Sequence, residues 1–179
     1  MTDKFSPTPD QQEALNLMTD WLQKGYIKPE AGIIHSKPIF QSARKFFLLK
    51  GYAGTGKTYC IQELVNSGVV RPSEVCFTAP TNKAVKVLRN YLDEAELEDC
   101  TTKTIYSLLG LSLQANGEVK ELQKPDEPVD LSRYKVIVVD EGSMVNRFLM
   151  DAITDAFDVW KVPFIFMGDP AQLPPVGEI

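Results

Sequence analysis

Between Phe46 and Asn66 an apolar run, a glycine-rich turn and a helical pattern follow one another without a gap. The run is Phe46-Phe47-Leu48-Leu49-Lys50 and the turn is Gly51-Tyr52-Ala53-Gly54-Thr55-Gly56-Lys57-Thr58. Tyr59 to Asn66 then carries apolar residues at helical spacing. The turn satisfies G-x-x-x-x-G-K-[ST] at each fixed position, in the strand–loop–helix setting that gives the pattern meaning. Such a chain must fold so that a strand, a tight loop and a helix N-terminus meet. Glycines let the backbone curl until successive N–H groups point at one anion, at the positive end of the following helix. The predicted nucleotide cradle is therefore Gly51, Ala53, Gly54, Thr55, Gly56, Lys57 and Thr58. Lys57 is expected at the β- and γ-phosphates of ATP, and the Thr58 hydroxyl on Mg²⁺.

Three more apolar runs read as buried strands: Val75 to Ala79, Val136 to Val139, and Phe164 to Met167. Helical patterns alternate with them. Thr8-Pro9-Asp10-Gln11 has the form of a capping box opening a helix that runs towards Gly25. Pro80-Thr81-Asn82-Lys83 leads into a helix through Leu92, and another is expected from about Arg147 to Phe157. Ile105, Leu108 and Leu109 suggest a short helix ended by Gly110. Four near-continuously apolar strands alternating with helices predict an α/β fold, a parallel sheet with helices on both faces. Asn116-Gly117 between two short alternating segments, within Leu111 to Leu122, predicts a small hairpin insertion, and 123–130 an acidic, proline-broken connection. Residues 26–45 show no clear period.

Each polar motif follows the carboxyl end of a strand, where open α/β sheets bind ligands. Asp140 follows Val136-Ile137-Val138-Val139, the arrangement in which a carboxylate fixes Mg²⁺. Glu141 comes next, placed to accept a proton from an attacking water or to orient it. The plainer alternative for the pair is a helix cap and a solvated acid. Asp169 and Gln172 lie in Gly168-Asp169-Pro170-Ala171-Gln172-Leu173-Pro174-Pro175-Val176, where a polar side chain could meet the γ-phosphate or its water. A proline-rigid loop is the alternative there.

The charge balance limits how nucleic acid could be held. With Lys+Arg 19 against Asp+Glu 24 the net charge is −5, so any such contact is local and not a broad basic surface. Cys60, Cys76 and Cys100 lack metal-like spacing and read as reduced thiols, which fits a cytoplasmic protein. The single histidine, His35, leaves little room for histidine catalysis or a histidine metal cluster. No apolar stretch has membrane-spanning length, and Met1-Thr2-Asp3-Lys4 does not begin a signal peptide.

The ordered set Gly51 to Thr58, Ala79 to Ala84, Thr104 to Leu109, Asp140 to Met144 and Gly168 to Val176 resembles motifs I, Ia, Ib, II and III of superfamily 1 helicases of the RecD/Dda type. Thr8-Pro9-Asp10-Gln11 resembles the Q motif of that family. The resemblance implies a RecA-like P-loop NTPase domain, the first motor domain (1A) of an enzyme that translocates 5′→3′ on single-stranded DNA. It implies Gln11 as an adenine contact, and Pro80, Thr81, Asn82, Lys83, Thr104 and Tyr106 as DNA contacts. It also implies a 1B-like insertion at 111–130, which stands between a duplex-splitting wedge and an ordinary surface hairpin.

The chain departs from the pattern at Tyr106, where relatives usually carry His, and at Gly142, which replaces a small apolar residue. Motifs IV to VI do not follow motif III, so the expectation is a helicase motor lacking its second RecA-like domain, poorly active alone. The expected setting is the cytoplasm of a bacterial or phage-infected cell, with replication or repair proteins as candidate partners and replication, repair or recombination as the process served. Two other classes stay open: a non-catalytic nucleotide- or DNA-binding fragment, and another P-loop phosphotransferase.

Overall fold

The computed structural model of the chain describes residues 6–24, 46–116 and 119–169. Pro9–Lys24 forms α1, entered through the reciprocal cap the sequence predicts. The Thr8 N–H donates to Gln11 Oε1 at 3.0 Å, and the Gln11 N–H donates to Thr8 Oγ1 at 3.4 Å. Then come β1 (Phe46–Lys50), α2 (Lys57–Asn66), β2 (Val75–Ala79) and α3 (Asn82–Glu94). They are followed by β3 (Thr101–Thr104), α4 (Ile105–Leu108), β4 (Ser112–Asn116), β5 (Val119–Gln123), β6 (Val136–Val139), α5 (Arg147–Trp160) and β7 (Phe164–Gly168). The region 26–45 lies outside the described residues.

Five strands form one sheet in the order β1-β7-β6-β2-β3, each neighbour parallel to the next. Because side chains alternate across a strand, each apolar run feeds two cores at once. Phe47, Leu49, Phe77, Val138 and Ile165 pack with Met18 and Trp21 of α1, Ile61 and Leu64 of α2, and Leu88 and Leu92 of α3. Cys76, Ile137, Phe164 and Phe166 face the other way, onto Ile105 and Leu108 of α4 and Leu149, Ile153 and Phe157 of α5. The helices on both faces explain why the strands show apolar runs instead of alternation. Burying each large side chain contributes about 1.5–3 kcal/mol, so the two layers fix the sheet firmly beneath its loops.

Two sequence expectations need correction. The sheet has a fifth strand, β3, reading Thr101-Thr102-Lys103-Thr104, beyond the four apolar runs that the sequence marks as strands. It is an edge strand held by main-chain pairing to β2, and a pattern search for apolar runs has nothing to find there. The hairpin is present as a separate two-stranded antiparallel sheet, but its register pairs Asn116 with Val119. Asn116 therefore ends β4. At the hairpin's base Lys124 Nζ meets Asp155 Oδ2 of α5 at 2.6 Å.

Candidate functional site

The sheet brings the polar motifs to one edge in a definite order. Lys50 pairs with Gly168, and the Gly51 N–H donates to the Gly168 carbonyl at 3.1 Å, so the glycine loop stands beside Asp169. Strand β7 separates β1 from β6, and the Asp140 N–H donates to the Thr78 carbonyl at 2.8 Å. Ala79 pairs with Thr104 at the far side. Along the carboxyl edge the order is thus the glycine loop, Asp169, Asp140-Glu141, Pro80-Thr81 and Thr104.

The loop's shape depends on glycine at two places. Gly54 and Gly56 hold φ of 77° and 80°, the left-handed region that L side chains rarely adopt. Gly56 precedes α2 with no side-chain cap, so the first N–H groups of the helix keep their donors directed out of its end. Thr55 folds the loop back, its Oγ1 donating to the Tyr52 carbonyl at 2.8 Å. Lys57 Nζ donates to the Gly51 carbonyl at 2.7 Å and the Tyr52 carbonyl at 3.0 Å. Ala53 is exposed on the curl and Thr58 is half-buried in the first turn of α2. Gln11 reaches the loop from α1: its Nε2 donates to the Thr55 carbonyl at 3.0 Å and lies 2.5 Å from where a Cβ on Gly56 would stand. Its Oε1 serves the helix cap, so both ends of the amide are bonded within the protein.

Asp140 follows β6 and is half-buried, its Oδ1 accepting the Glu141 N–H at 2.9 Å. Burial pushes its carboxyl up from the ordinary value, against the pull of that N–H and of the Lys57 charge. Glu141 is exposed and holds φ 52° and ψ 43°, a left-handed conformation unusual for a residue with a side chain. The Met144 N–H returns to its carbonyl at 2.9 Å, closing a 3₁₀ turn over Gly142–Met144. A Cβ on Gly142 would stand 3.2 Å from the Met167 carbonyl. A side chain there would sit tightly against β7.

These groups fit Mg²⁺ and a nucleotide. Mg²⁺ keeps several waters and takes one or two carboxylates with phosphate oxygens, a demand that Thr58 and Asp140 can meet. Among the described residues no cluster of three His, Cys, Asp or Glu offers a cage for another metal. Asp169 is half-buried at the end of β7; Gln172 and 170–176 lie outside the described residues.

On the β2–β3 side Thr81, Asn82 and Lys83 are exposed and Pro80 is half-buried. The Thr81 hydroxyl accepts the Ala84 N–H at 3.2 Å, capping α3, and the Thr104 hydroxyl accepts the Ser107 N–H at 3.1 Å, capping α4. A capping hydroxyl uses a lone pair and keeps its O–H to donate, so both can cap a helix and meet a phosphate. Tyr106 is half-buried against the α5-side core.

Sequence reading did not find the carbonyls of Gly51 and Tyr52 that hold Lys57, nor the Gln11–Thr55 bond. Main-chain acceptors carry no residue signature. A glutamine at a capping-box position reads as a cap alone.

Residues 37–178 match the protein family described as AAA domain. An uncharacterized protein of Acanthamoeba polyphaga mimivirus is 32% identical over 154 residues, covering 79% of this chain and 31% of that protein. The ATP-dependent DNA helicase dda of Enterobacteria phage T4 is 30% identical over 132 residues, covering 72% of this chain and 28% of the helicase. Unliganded Pif1 from Bacteroides sp superposes with a TM-score of 0.55 at 21% identity, over 98% of this chain and 34% of that one. The chain spans about a third or less of the length of each of these relatives.

Proposed function

The chain belongs to the AAA domain family and is a RecA-like P-loop domain of the superfamily 1 helicase kind; from that premise we propose that it is the ATP-binding and ATP-hydrolysing motor domain of a single-stranded-DNA translocase, a DNA helicase. The observation that carries the reading is the order of groups along the sheet edge. The glycine loop, Asp169 and the Asp140-Glu141 pair are contiguous through β1, β7 and β6, and the Thr81 and Thr104 hydroxyls continue the same edge.

In this reading the loop N–H groups and Lys57 bind the phosphates. Lys57 exchanges its carbonyl partners, Gly51 and Tyr52, for phosphate oxygens. Thr58 and Asp140 hold Mg²⁺, which supplies charge neutralisation on the phosphates when bound. Glu141, exposed beside Asp140, takes a proton from the attacking water, and Asp169 and Gln172 respond to the γ-phosphate. Gln11 contacts adenine by exchanging one of its protein bonds. Pro80, Thr81, Asn82, Lys83, Thr104 and Tyr106 meet the DNA backbone, mostly through hydroxyls and amides, as the net charge of −5 requires.

The wider reading follows the Dda likeness: 5′→3′ movement, residues 1–179 as domain 1A, the β4–β5 hairpin as a 1B-like insertion, and a second RecA-like domain completing the cleft. A cytoplasmic setting belongs to the same proposal. No helix among the described residues is long and apolar enough to cross a membrane.

The experiment is a pair of titrations on the 179-residue chain: ATP with Mg²⁺ by calorimetry, and fluorescein-labelled oligo(dT) by anisotropy. Saturable binding of both is expected. Absence of nucleotide binding overturns the motor reading, and nucleotide binding without DNA binding reduces it to a nucleotide-binding domain.

A further inference from the structure

Two helices start at the sheet's carboxyl edge and run back over one face, α2 from Lys57 and α3 from Asn82. They bury side chains in the same apolar cluster, Cys60, Ile61 and Leu64 from α2 and Leu88 and Leu92 from α3. Across this seam the half-buried Tyr91 Oη donates to Gln62 Oε1 at 2.8 Å. From Asn82 to Tyr91 is about 14 Å of helix, and from Lys57 to Gln62 about 8 Å, at the usual rise per residue. The bond therefore lies well inside both helices, away from either candidate ligand. Burial raises the Tyr91 pKa first, and Tyr59, Cys60 and Glu63 add to it, which places Tyr91 against the opening turns of α2.

We propose that Tyr91 is a positioning residue that couples the two ends of the site, locking α3, with its Thr81-Asn82-Lys83 terminus, to α2, with its phosphate-binding terminus. The proposal rests on the ATP and DNA reading above. Ile61 and Leu88 share one apolar cluster, and burial of that kind is non-directional. A hydrogen bond has a preferred length and angle, so it resists a shift of one helix along the other. When phosphates settle at the N-terminus of α2, a displacement of that helix reaches α3 through Gln62 and Tyr91, and changes where Thr81 and Lys83 stand. Linkage makes the effect reciprocal: DNA on Thr81 and Lys83 alters nucleotide affinity by the same factor.

The test uses the whole 179-residue chain, a fluorescent ATP analogue with Mg²⁺, and labelled oligo(dT). Each dissociation constant is measured with the other ligand absent and saturating. In the wild type each ligand is expected to shift the other's constant by about 5-fold or more. Tyr91→Phe keeps the ring and the packing, so the separate constants stay within about 2-fold while the mutual shift falls towards 1. Gln62→Glu retains an acceptor oxygen and should retain the shift, whereas Gln62→Leu should lose it. A full shift in Tyr91→Phe, or no shift in a wild type that binds both ligands, overturns the coupling. A wild type that binds neither ligand overturns instead the functional reading on which the coupling stands.

Discussion

Lys57 Nζ lies 2.7 Å from the carbonyl oxygen of Gly51, the residue that opens its own loop. With the Tyr52 carbonyl at 3.0 Å, the ammonium is held at the centre of the curl. It serves as the loop's internal tie, and on the reading above as the cation for the β- and γ-phosphates.

Lys57→Ala should therefore remove most ATP·Mg²⁺ affinity. It deletes the phosphate-pairing cation and takes the Nζ donor from the Gly51 carbonyl, while the Tyr52 carbonyl keeps the Thr55 hydroxyl. Calorimetric titration of the two proteins decides the matter: equal affinities would defeat the phosphate-loop assignment. Thermal unfolding should change little, since the loop is exposed and the sheet beneath does not depend on it.

Glu141→Gln should keep nucleotide binding and lower turnover in a complete motor by about 10²–10⁴-fold, the usual contribution of a general base. Its backbone conformation depends on the Asp140 Oδ1 contact and the return bond from Met144, neither of which involves its own side chain. Steady-state hydrolysis near the wild-type rate would move attention to Asp169 and Gln172.

The glycine loop, the four apolar strands and the amphipathic helices were legible because each has a pattern tied to its physics. Glycine and lysine stand at fixed spacing in the loop, apolar runs mark strands covered on both faces, and Thr8 with Gln11 marks a cap. Strand β3 was not legible. Its pairing is made by main chain, and Thr101-Thr102-Lys103-Thr104 carries no large apolar side chain. The left-handed Glu141 gave no signal either, since glycine, not glutamate, is the residue that announces positive φ. The spatial order of the site lay beyond the sequence as well. That β7 runs between β1 and β6, setting Asp169 between the loop and the acids, follows from strand order, which local patterns do not encode.

Thr81→Ala combined with Lys83→Ala should weaken single-stranded DNA binding and leave ATP affinity unchanged. Losing one phosphate-pairing cation should flatten the log–log salt dependence by roughly 0.7. Because Thr81 caps α3, its alanine variant should also lose about 1 kcal/mol of stability. Thr81→Asp keeps a capping oxygen but has no O–H to donate to phosphate, and so separates the two effects. Anisotropy across a salt series, with melting curves for each variant, checks the prediction; unchanged DNA binding would confine Thr81 to capping.

Glu74 lies at the opposite end of the sheet and should govern acid stability. Its carboxylate accepts the Arg71 guanidinium at 2.5 Å and the Arg71 N–H at 3.1 Å, with Lys135 Nζ at 3.3 Å. The Arg71 side chain above all, then its N–H, holds the carboxyl at about 2 against an ordinary 4.5. A depressed folded-state pKa stabilises above the unfolded value, so this contribution is complete above pH 4.5 and is lost as pH falls towards 2. Glu74→Gln should melt at a lower temperature at pH 7, and the gap should narrow through that window. A gap independent of pH would show that Glu74 acts by packing and not by charge.

Asp140 should show the opposite sign. Burial raises its pKa above 3.8 despite the Glu141 N–H and the nearby Lys57, so holding it ionised costs the folded state stability. That cost is complete above the folded-state pKa and disappears below 3.8, where both folded and unfolded chains carry the proton. Asp140→Asn removes the buried charge and can still accept the Glu141 N–H through its amide oxygen. The variant should therefore melt above the wild type at pH 7, and the two curves should converge as pH falls towards 3.8. Its ATP·Mg²⁺ affinity should fall, because the same charge that costs the fold stability is, on the reading above, the one that meets the metal. Melting curves from pH 7 to 3.5 beside calorimetric titrations test both halves. An Asn variant less stable than wild type at pH 7 would mean that the Lys57 attraction outweighs desolvation, and that Asp140 is held there by its partners at no cost to the fold.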